Sequence, residues 1–385
     1  MRILQVISYF NPKFGGDVNV VSNLSKQLFK MGHEVTILTT DFDFDADYEN
    51  AIRDEGIEII PFHSKLNLGL FLYTPSIKSW AKKNISRFDI VHMHNFRSYQ
   101  NNIIHRYAKK NNIHYILQAH GSVLPFFSKI RLKKMYDLMW GSNILRDASK
   151  VIALTKAEEE QYVKMGVTPD RIEIIPNGID LTVLNNLPDR GAFRKKYKIK
   201  NDEKLVLFLG RIHERKGIDF LIKSFSKLNN KVKDVRLAIV GPNDGYQNEA
   251  EKLITILNLD ENVKLIGFVN EKDKLGAYVD ADVLVYPAVF EVFGLVPFEA
   301  IMCGTPVIVT DDCGCGELIR EANCGKLVKY NDIDDLVQSI EFLMNNQMIS
   351  MGFVENGKKF ITNNLTWHTI ANKEESVYED CICHV

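Results

Sequence analysis

Residues 291–299 read Glu-Val-Phe-Gly-Leu-Val-Pro-Phe-Glu, two carboxylates eight positions apart with a glycine and aliphatic residues between them. Upstream, Val283-Leu284-Val285-Tyr286-Pro287 is an apolar run ending in proline, the pattern of a strand buried in a parallel sheet. Downstream, Leu295–Cys303 has the pattern of a short helix stopped by Gly304, and Thr305-Pro306 leads into a strand at Val307-Ile308-Val309. Strand, loop, helix and strand in that order put the nine residues at the carboxyl end of a parallel strand. Ligands of open α/β sheets bind there.

The residue types suit a phosphorylated, hydroxyl-rich ligand. Pro297 falls in the first helical turn, where its missing N–H would have had no partner. The free N–H groups of Gly294, Leu295 and Val296 point along the helix axis and favour an anion, and the glycine lets a phosphate reach the backbone. Glu291 lies in the loop and Glu299 about one turn inside the helix, so they are expected to contact different parts of one ligand. A carboxylate accepts two hydroxyls at once, as a ribose or hexose diol presents them. Two such glutamates taken alone are more often solvated charges; the glycine loop between them favours the ligand reading.

Three other loops follow strand patterns. After Leu205–Leu209, the run Gly210-Arg211-Ile212-His213-Glu214-Arg215-Lys216-Gly217 sets a planar guanidinium fork and a mobile ammonium beside glycines. Arg211 and Lys216 are read as diphosphate ligands, and Arg215 as a solvated turn residue. Near the start, Asn11-Pro12-Lys13-Phe14-Gly15-Gly16-Asp17 opens a helix near Val18, and its paired glycines suit close approach by a phosphate or sugar. This is not the Gly-x-Gly-x-x-Gly of a dinucleotide-binding dehydrogenase. Gln118-Ala119-His120-Gly121-Ser122 places a histidine immediately beyond a strand, where a satisfied loop histidine is the ordinary reading. His92 and His94 alternate along a strand end and either line the acceptor side or pack internally; as metal ligands they lack an apparent third partner.

The nine-residue stretch resembles the Glu-x7-Glu signature of retaining, nucleotide-sugar-dependent glycosyltransferases of the GT-B fold, family 4 (group 1). Phe10–Thr40 with Gly15-Gly16 and Gly32-His33-Glu34-Val35, then Pro176-Asn177-Gly178-Ile179-Asp180, then Gly210–Gly217 are similar to that family's landmarks, in its order, over most of the chain. The resemblance implies an α/β protein with two Rossmann-like domains facing each other across a cleft. It implies that Glu291 holds sugar hydroxyls, Glu299 the ribose and His120 the donor sugar. Arg211, Lys216 and the N–H groups around Gly294 would carry the diphosphate. Base contacts would come largely from backbone near Gly267-Phe268-Val269, so Phe268, Val269 and Phe293 join Gly15, Gly16, Gly294, Leu295 and Val296 as donor-binding residues. No protein nucleophile is implied. No metal or other cofactor is expected, because cations and a helix end can neutralise the diphosphate. Closure of the cleft on donor binding is expected, with hinges near Ile179–Arg190 and Trp367. Two departures stand out. Asp17 replaces a frequent Ala or Val, where it either touches an acceptor hydroxyl or caps the helix. Cys313-Gly314-Cys315-Gly316-Glu317 replaces a more usual Gly-Gly-x-x-Glu stretch.

Strand patterns alternate with helical ones throughout, as βαβ units require. In the first half they fall at Ile3–Ile7, Val35–Thr39, Ile57–Pro61, Ile90–His94, Tyr115–Ala119, Val151–Leu154 and Ile172–Ile175. In the second they fall at Leu205–Leu209, Arg236–Val240, Val263–Ile266, Val283–Tyr286, Val307–Val309 and Lys326–Val328. The expected domains are residues 1–181, joined by a terminal helix at about 367–385, and residues 182–366.

The 385 residues are 45% hydrophobic and 25% charged, ordinary for a globular chain of two domains. No apolar run approaches the roughly 18 residues that span a bilayer, and the start, Met1–Ile7, is too short and polar for a signal peptide, so a cytoplasmic location is expected. Six cysteines suggest no disulfide framework. Cys313-Gly314-Cys315 and Cys381-Ile382-Cys383-His384 have spacings that could hold a soft metal, with nothing else to support it. The net charge of −1 conceals an asymmetry: residues 1–200 carry 29 Lys+Arg against 20 Asp+Glu, and residues 201–385 carry 19 against 29. Nucleic acid is not an expected partner. A basic first half could attract an anionic acceptor or membrane. Pro125–Trp140 interleaves Phe126, Phe127, Ile130, Leu132, Met135 and Tyr136 with Lys129, Arg131, Lys133 and Lys134, and Leu66–Arg87 shows a similar mixture. Packing of the apolar face into the core is the favoured reading, and peripheral contact with an anionic membrane the other.

The function expected is transfer of a hexose-type sugar from a UDP- or GDP-sugar to a glycan or lipid-linked acceptor in cell-envelope, polysaccharide or glycolipid synthesis. The alternatives are a sugar-phosphate phosphorylase or UDP-sugar epimerase on the same fold, and a non-catalytic nucleotide-sugar-binding subunit. The sequence leaves sugar, acceptor and oligomeric state open.

Overall fold

A computed structural model describes residues 1–69, 71–125, 129–289, 291–311 and 313–383. The chain forms two units. The first comprises 1–178 and 367–385 and the second 179–366.

In the first unit, strands β1 (Arg2–Val6), β2 (Glu34–Thr40), β3 (Glu58–Phe62), β6 (Ile90–His94), β7 (His114–Gln118), β8 (Lys150–Ala153) and β9 (Ile172–Ile174) make one parallel sheet in the order β3-β2-β1-β6-β7-β8-β9. Between β3 and β6, β4 (Leu66–Leu68) and β5 (Phe71–Tyr73) form a separate antiparallel hairpin. The second unit holds β10 (Lys204–Leu209), β11 (Val235–Val240), β12 (Val263–Gly267), β13 (Val283–Tyr286), β14 (Val307–Thr310) and β15 (Lys326–Val328), parallel and ordered β12-β11-β10-β13-β14-β15. Every expected strand is present, within a residue or two at its ends. The β4–β5 hairpin was not expected.

The sheets are parallel because helices cover both faces, and the strand sequences are apolar on both sides accordingly. Residues 205–209 and 283–286 are buried throughout. In each sheet the order reverses once, between β1 and β6 and between β10 and β13. A crevice opens at the carboxyl ends of the strands at such a switch point. The loops after these four strands carry most of the candidate residues.

The last helix, Trp367–Cys383, packs on the first unit, burying Ile370, Val377 and Tyr378 in the core that includes Val18, Val21 and Leu24 of helix Gly16–Lys30. Its Glu374 is buried too. Burial pushes that carboxyl up to about 8, and its Oε2 has no hydrogen-bond partner among the described residues. A carboxyl raised in the folded state holds its proton where the unfolded chain loses it, so its stabilising contribution is full below about 4.5 and is lost as pH rises towards 8. Glu374→Gln is therefore expected to be more stable than the parent at pH 8, by on the order of a few kcal/mol, and to differ little at pH 5. Thermal melts across that range check it; parallel curves for the two proteins would show that Glu374 stays ionised.

The segment 129–140 corrects one expectation. Helix Ile130–Tyr136 continues into a π-helical turn, Asp137–Gly141. Tyr136 and Asp137 are buried, but Ile130, Leu132, Met135, Leu138, Met139 and Trp140 are exposed, so the apolar face is not packed into the core. Phe126 and Phe127, grouped with this segment, lie outside the described residues, as does His384 of the terminal Cys-x-Cys-His. Cys313 and Cys315 are both buried with sulfurs 3.1 Å apart, and no group of three or more metal-ligating side chains occurs among the described residues.

Candidate functional site

In the second unit, the loop after β10 carries Gly210, Arg211 and a 3-10 turn, Glu214–Lys216, closed by Gly217 at φ 66°. A Cβ on Gly217 would stand 2.0 Å from the Pro287 carbonyl oxygen, so only glycine lets this loop lie against the one after β13. The backbone N–H of Val289 donates to the Arg215 carbonyl at 2.8 Å and fastens the two loops together.

That contact brings Lys216 to Glu291. The Lys216 ammonium donates to Glu291 Oε2 and to the Tyr286 hydroxyl (2.7 Å), and Tyr286 donates to the same Oε2 (2.8 Å). The ammonium also sits 5.0 Å from the Tyr286 ring centroid. Burial alone would push the Glu291 carboxyl up. The Lys216 charge and the hydrogen bonds from Lys216 and Tyr286 outweigh it and hold the group below its ordinary range. Glu291 is thus ionised with its second oxygen uncommitted by that cluster. Gly294 (φ 70°) follows, where a Cβ would press on Glu291 and Tyr286 at 3.1 and 3.2 Å. Helix Leu295–Met302 starts there with no side-chain cap, leaving its first N–H groups without intrahelical acceptors.

The other expected residues are placed differently. Arg211 is exposed and pairs with Asp244 at 2.8 Å. Glu299 belongs to a second cluster, accepting from the Tyr278 hydroxyl at 2.8 Å and from Lys274 at 3.4 Å, both on helix Glu271–Asp280. Phe268 is 76% exposed just beyond Gly267, with Val269 half-buried beside it. Phe293 is 2% exposed and stacks on Phe298, so only its backbone is available to a ligand.

In the first unit, Gly15 (φ 113°) and Gly16 face open space, and Asp17 spans the switch point. Its Oδ2 accepts from the Tyr9 hydroxyl (2.6 Å) after β1 and from Asn95 Nδ2 (2.9 Å) after β6. His120 adopts a left-handed φ of 50°, and the following Gly121 N–H donates to Glu158 at 2.6 Å. His92 and His94 are buried, which settles between the two readings in favour of internal packing. His94 Nε2 lies 2.6 Å from Gln5 Oε1, and His94 Nδ1 lies 2.9 Å from His120 Nε2. Burial holds His94 well below the ordinary histidine range and His120 down at about 4, so both are neutral near pH 7. The amide oxygen accepts, so His94 carries its proton on Nε2. His94 Nδ1 is then an acceptor, and His120 must donate to it from Nε2. The remaining nitrogen of His120, Nδ1, bears a lone pair.

The group 1 glycosyl transferase profile matches residues 189–360, and the glycosyltransferase family 4 profile matches residues 14–183. The chain belongs to the group 1 glycosyltransferases. An uncharacterized glycosyltransferase of Methanocaldococcus jannaschii, MJ1607, is 25% identical over 394 residues, 98% of each chain. The D-inositol 3-phosphate glycosyltransferase of a Mycobacterium species (strain KMS) is 31% identical over 206 residues, which are 52% of this chain and 46% of that one. Anabaena Alr3699/HepE in complex with UDP superposes with a TM-score of 0.81 at 19% identity, over 99% of this chain and 100% of the other. The same protein in complex with UDP-glucose gives 0.79. At such identity the likeness shows the fold, GT-B with two Rossmann-like domains.

The candidate site of this group 1 glycosyltransferase includes residues that its sequence did not single out. Tyr286 links Lys216 to Glu291 and could have been noticed as the one hydroxyl in an apolar strand. Lys274 and Tyr278 stand four apart on one helix face. Gln5 is a lone amide inside β1, and a polar side chain at such a position needs a buried partner.

Proposed function

We propose that this glycosyltransferase moves a hexose-type sugar, with retention at C1, from a UDP- or GDP-sugar to an acceptor hydroxyl. The observation that carries this reading is the Lys216–Tyr286–Glu291 cluster beside the uncapped N-terminus of helix Leu295–Met302. It sets a cation, an ionised carboxylate and free N–H groups at one switch point. Such a set suits a diphosphate joined to a hydroxylated ring. The one structural neighbour described above, solved with UDP and with UDP-glucose, supports a uridine nucleotide as the first donor to try.

In this reading the bond from C1 to the β-phosphate oxygen breaks, and the acceptor oxygen bonds to C1 on the same face. The acceptor proton leaves on the diphosphate. Lys216, Arg211 and the helix N–H groups stabilise the charge that grows on that leaving group, Glu291 holds sugar hydroxyls, and Glu299 holds the ribose. His120, through its bare Nδ1, accepts a sugar hydroxyl. Lys216 and Arg211 make a metal unnecessary.

The test is incubation with a panel of UDP-, GDP- and ADP-sugars and candidate acceptors in EDTA, with the anomer of the product read by NMR. An inverted product, or activity restored only by magnesium or manganese, would overturn the corresponding part. Sugar 1-phosphate formed only with added inorganic phosphate would indicate a phosphorylase instead.

The two glutamates should separate in such assays. Glu299→Ala is expected to weaken UDP affinity roughly tenfold to a hundredfold, the loss of hydrogen bonds to a charged group. Glu291→Ala is expected to lower turnover while nucleotide affinity changes little. Calorimetry with UDP beside steady-state kinetics checks both, and equal affinities for Glu299→Ala and the parent would remove Glu299 from the ribose.

A further inference from the structure

The first unit carries an exposed surface that the transfer chemistry does not use. In helix Ile130–Tyr136 and the π-helical turn after it, Leu132, Met135 and Leu138 are 58%, 54% and 84% exposed. The π turn explains how three consecutive apolar residues, Leu138-Met139-Trp140, come to face outwards. Asp137 turns inwards, where the Arg97 guanidinium holds it at 2.7 and 2.8 Å, and Gly141 comes so close beneath that a Cβ would stand 2.8 Å from Asp137 Oδ1. The only acidic residue of 129–140 is thereby buried and neutralised. Lys129, Arg131 and Lys134 are exposed.

The β4–β5 hairpin extends this surface. Leu66 pairs with Tyr73 and Leu68 with Phe71, so these four share one face, while Leu72 points the other way and is fully buried. Leu66, Leu68 and Tyr73 are each at least 40% exposed. A Cβ on Gly69, next to Leu68, would lie 3.5 Å from the Lys129 ammonium, so the hairpin abuts the start of the basic helix. Two elements far apart in sequence thus present neighbouring outward apolar side chains, bordered by cations.

We infer that this surface docks the enzyme on an anionic lipid bilayer, with the hairpin and the turn at Leu138 inserted among the acyl-chain ends and the cations at the headgroups. Charge chooses the occupant. A second copy of the chain would bring like charges together across the contact, whereas acidic headgroups complement them. Large apolar residues beside lysine and arginine match the division of a membrane interface. Among the described residues, no helix is long and apolar enough to cross a membrane, so attachment through this surface would be peripheral. The inference is independent of the donor chemistry.

The experiment is flotation of the whole protein with vesicles of phosphatidylcholine alone and of equimolar phosphatidylcholine and phosphatidylglycerol, at low and high salt. Binding is expected to the anionic vesicles only, to weaken with salt, and to quench Trp140 fluorescence when the lipid acyl chains are brominated. Arg131→Glu with Lys134→Glu should lower partitioning roughly tenfold or more, each reversal removing the attraction of one basic residue near the surface. Leu138→Glu should do so with the charges intact. Both variants change exposed side chains, so unaltered melting temperatures are expected and confirm folding. Equal binding to neutral vesicles, no binding to either, or full binding by Leu138→Glu would overturn the inference. So would a concentration-dependent dimer of the parent that Leu138→Glu dissolves, since the surface would then join two copies.

Discussion

Lys216→Met is expected to lower kcat/KM by roughly a hundredfold to a thousandfold, the usual consequence of removing one preorganised donor from a developing charge. The variant loses both roles of the ammonium, which holds Glu291 in its ionised form against burial and in the proposed function also meets the leaving diphosphate. Without it the burial of Glu291 remains and the opposing charge is gone, so the Glu291 carboxyl rises towards neutrality. The acid limb of the pH–rate profile should therefore move to higher pH. Lys216→Arg keeps the charge but not the compact ammonium that reaches both Tyr286 and Glu291, and should fall between the two. Kinetics from pH 5 to 9 on the three proteins measure this. A loss of rate with no shift in the acid limb would mean that Lys216 acts on the phosphate alone.

The parallel sheets were legible because strands buried on both faces read as unbroken apolar runs, as in residues 205–209 and 283–286. The glycine loops were legible because their geometry admits little else: Gly217 could not carry a side chain against Pro287. The β4–β5 hairpin was not legible. Its strands are three residues long, too short for a period to be read, and Leu66, Leu68 and Tyr73 are exposed where polar residues would mark the solvent face. The fate of 129–140 was hidden for a related reason. Its composition fits a buried or a membrane-facing helix equally, and the π turn that sends Leu138 outwards depends on Asp137 meeting Arg97, a partner 40 residues away.

The side chains that tie the candidate site together were illegible on topological grounds. Gln5, His94 and His120 lie on or just beyond β1, β6 and β7, and nothing local says that β6 pairs with β1 rather than β3. Glu291 and Glu299 show the opposite case. Their spacing reads as two contacts to different parts of one ligand, and what it could not give was their partners: the helix turns Glu299 towards Lys274 and Tyr278, and Glu291 stays with Lys216.

The line from Gln5 through His94 to His120 makes a demand on His94 that substitution can expose. His94→Phe removes the acceptor for His120 Nε2 while still filling the space, so the His120 ring is free to turn or to change tautomer. Turnover is expected to fall roughly a hundredfold, the scale of loss when a positioned group shifts by about an ångström. UDP affinity should not change, because the nucleotide ligands proposed above lie on the other unit. His94→Asn can restore an acceptor oxygen near the former Nδ1 and should recover much of the rate. A merely structural role for His94 predicts otherwise: both variants would lose stability and activity together, and asparagine, the poorer space-filler, would be the worse. Nitrogen-15 NMR of the histidine side chains supplies the independent reading. The parent should show His120 protonated at Nε2 near pH 7 and remaining neutral down to about pH 4, and His94→Phe should show a mixture of tautomers. A parent His120 protonated at Nδ1 would reverse the donor and acceptor along the whole line from Gln5, and with it the assignment of His120 as the acceptor of a sugar hydroxyl.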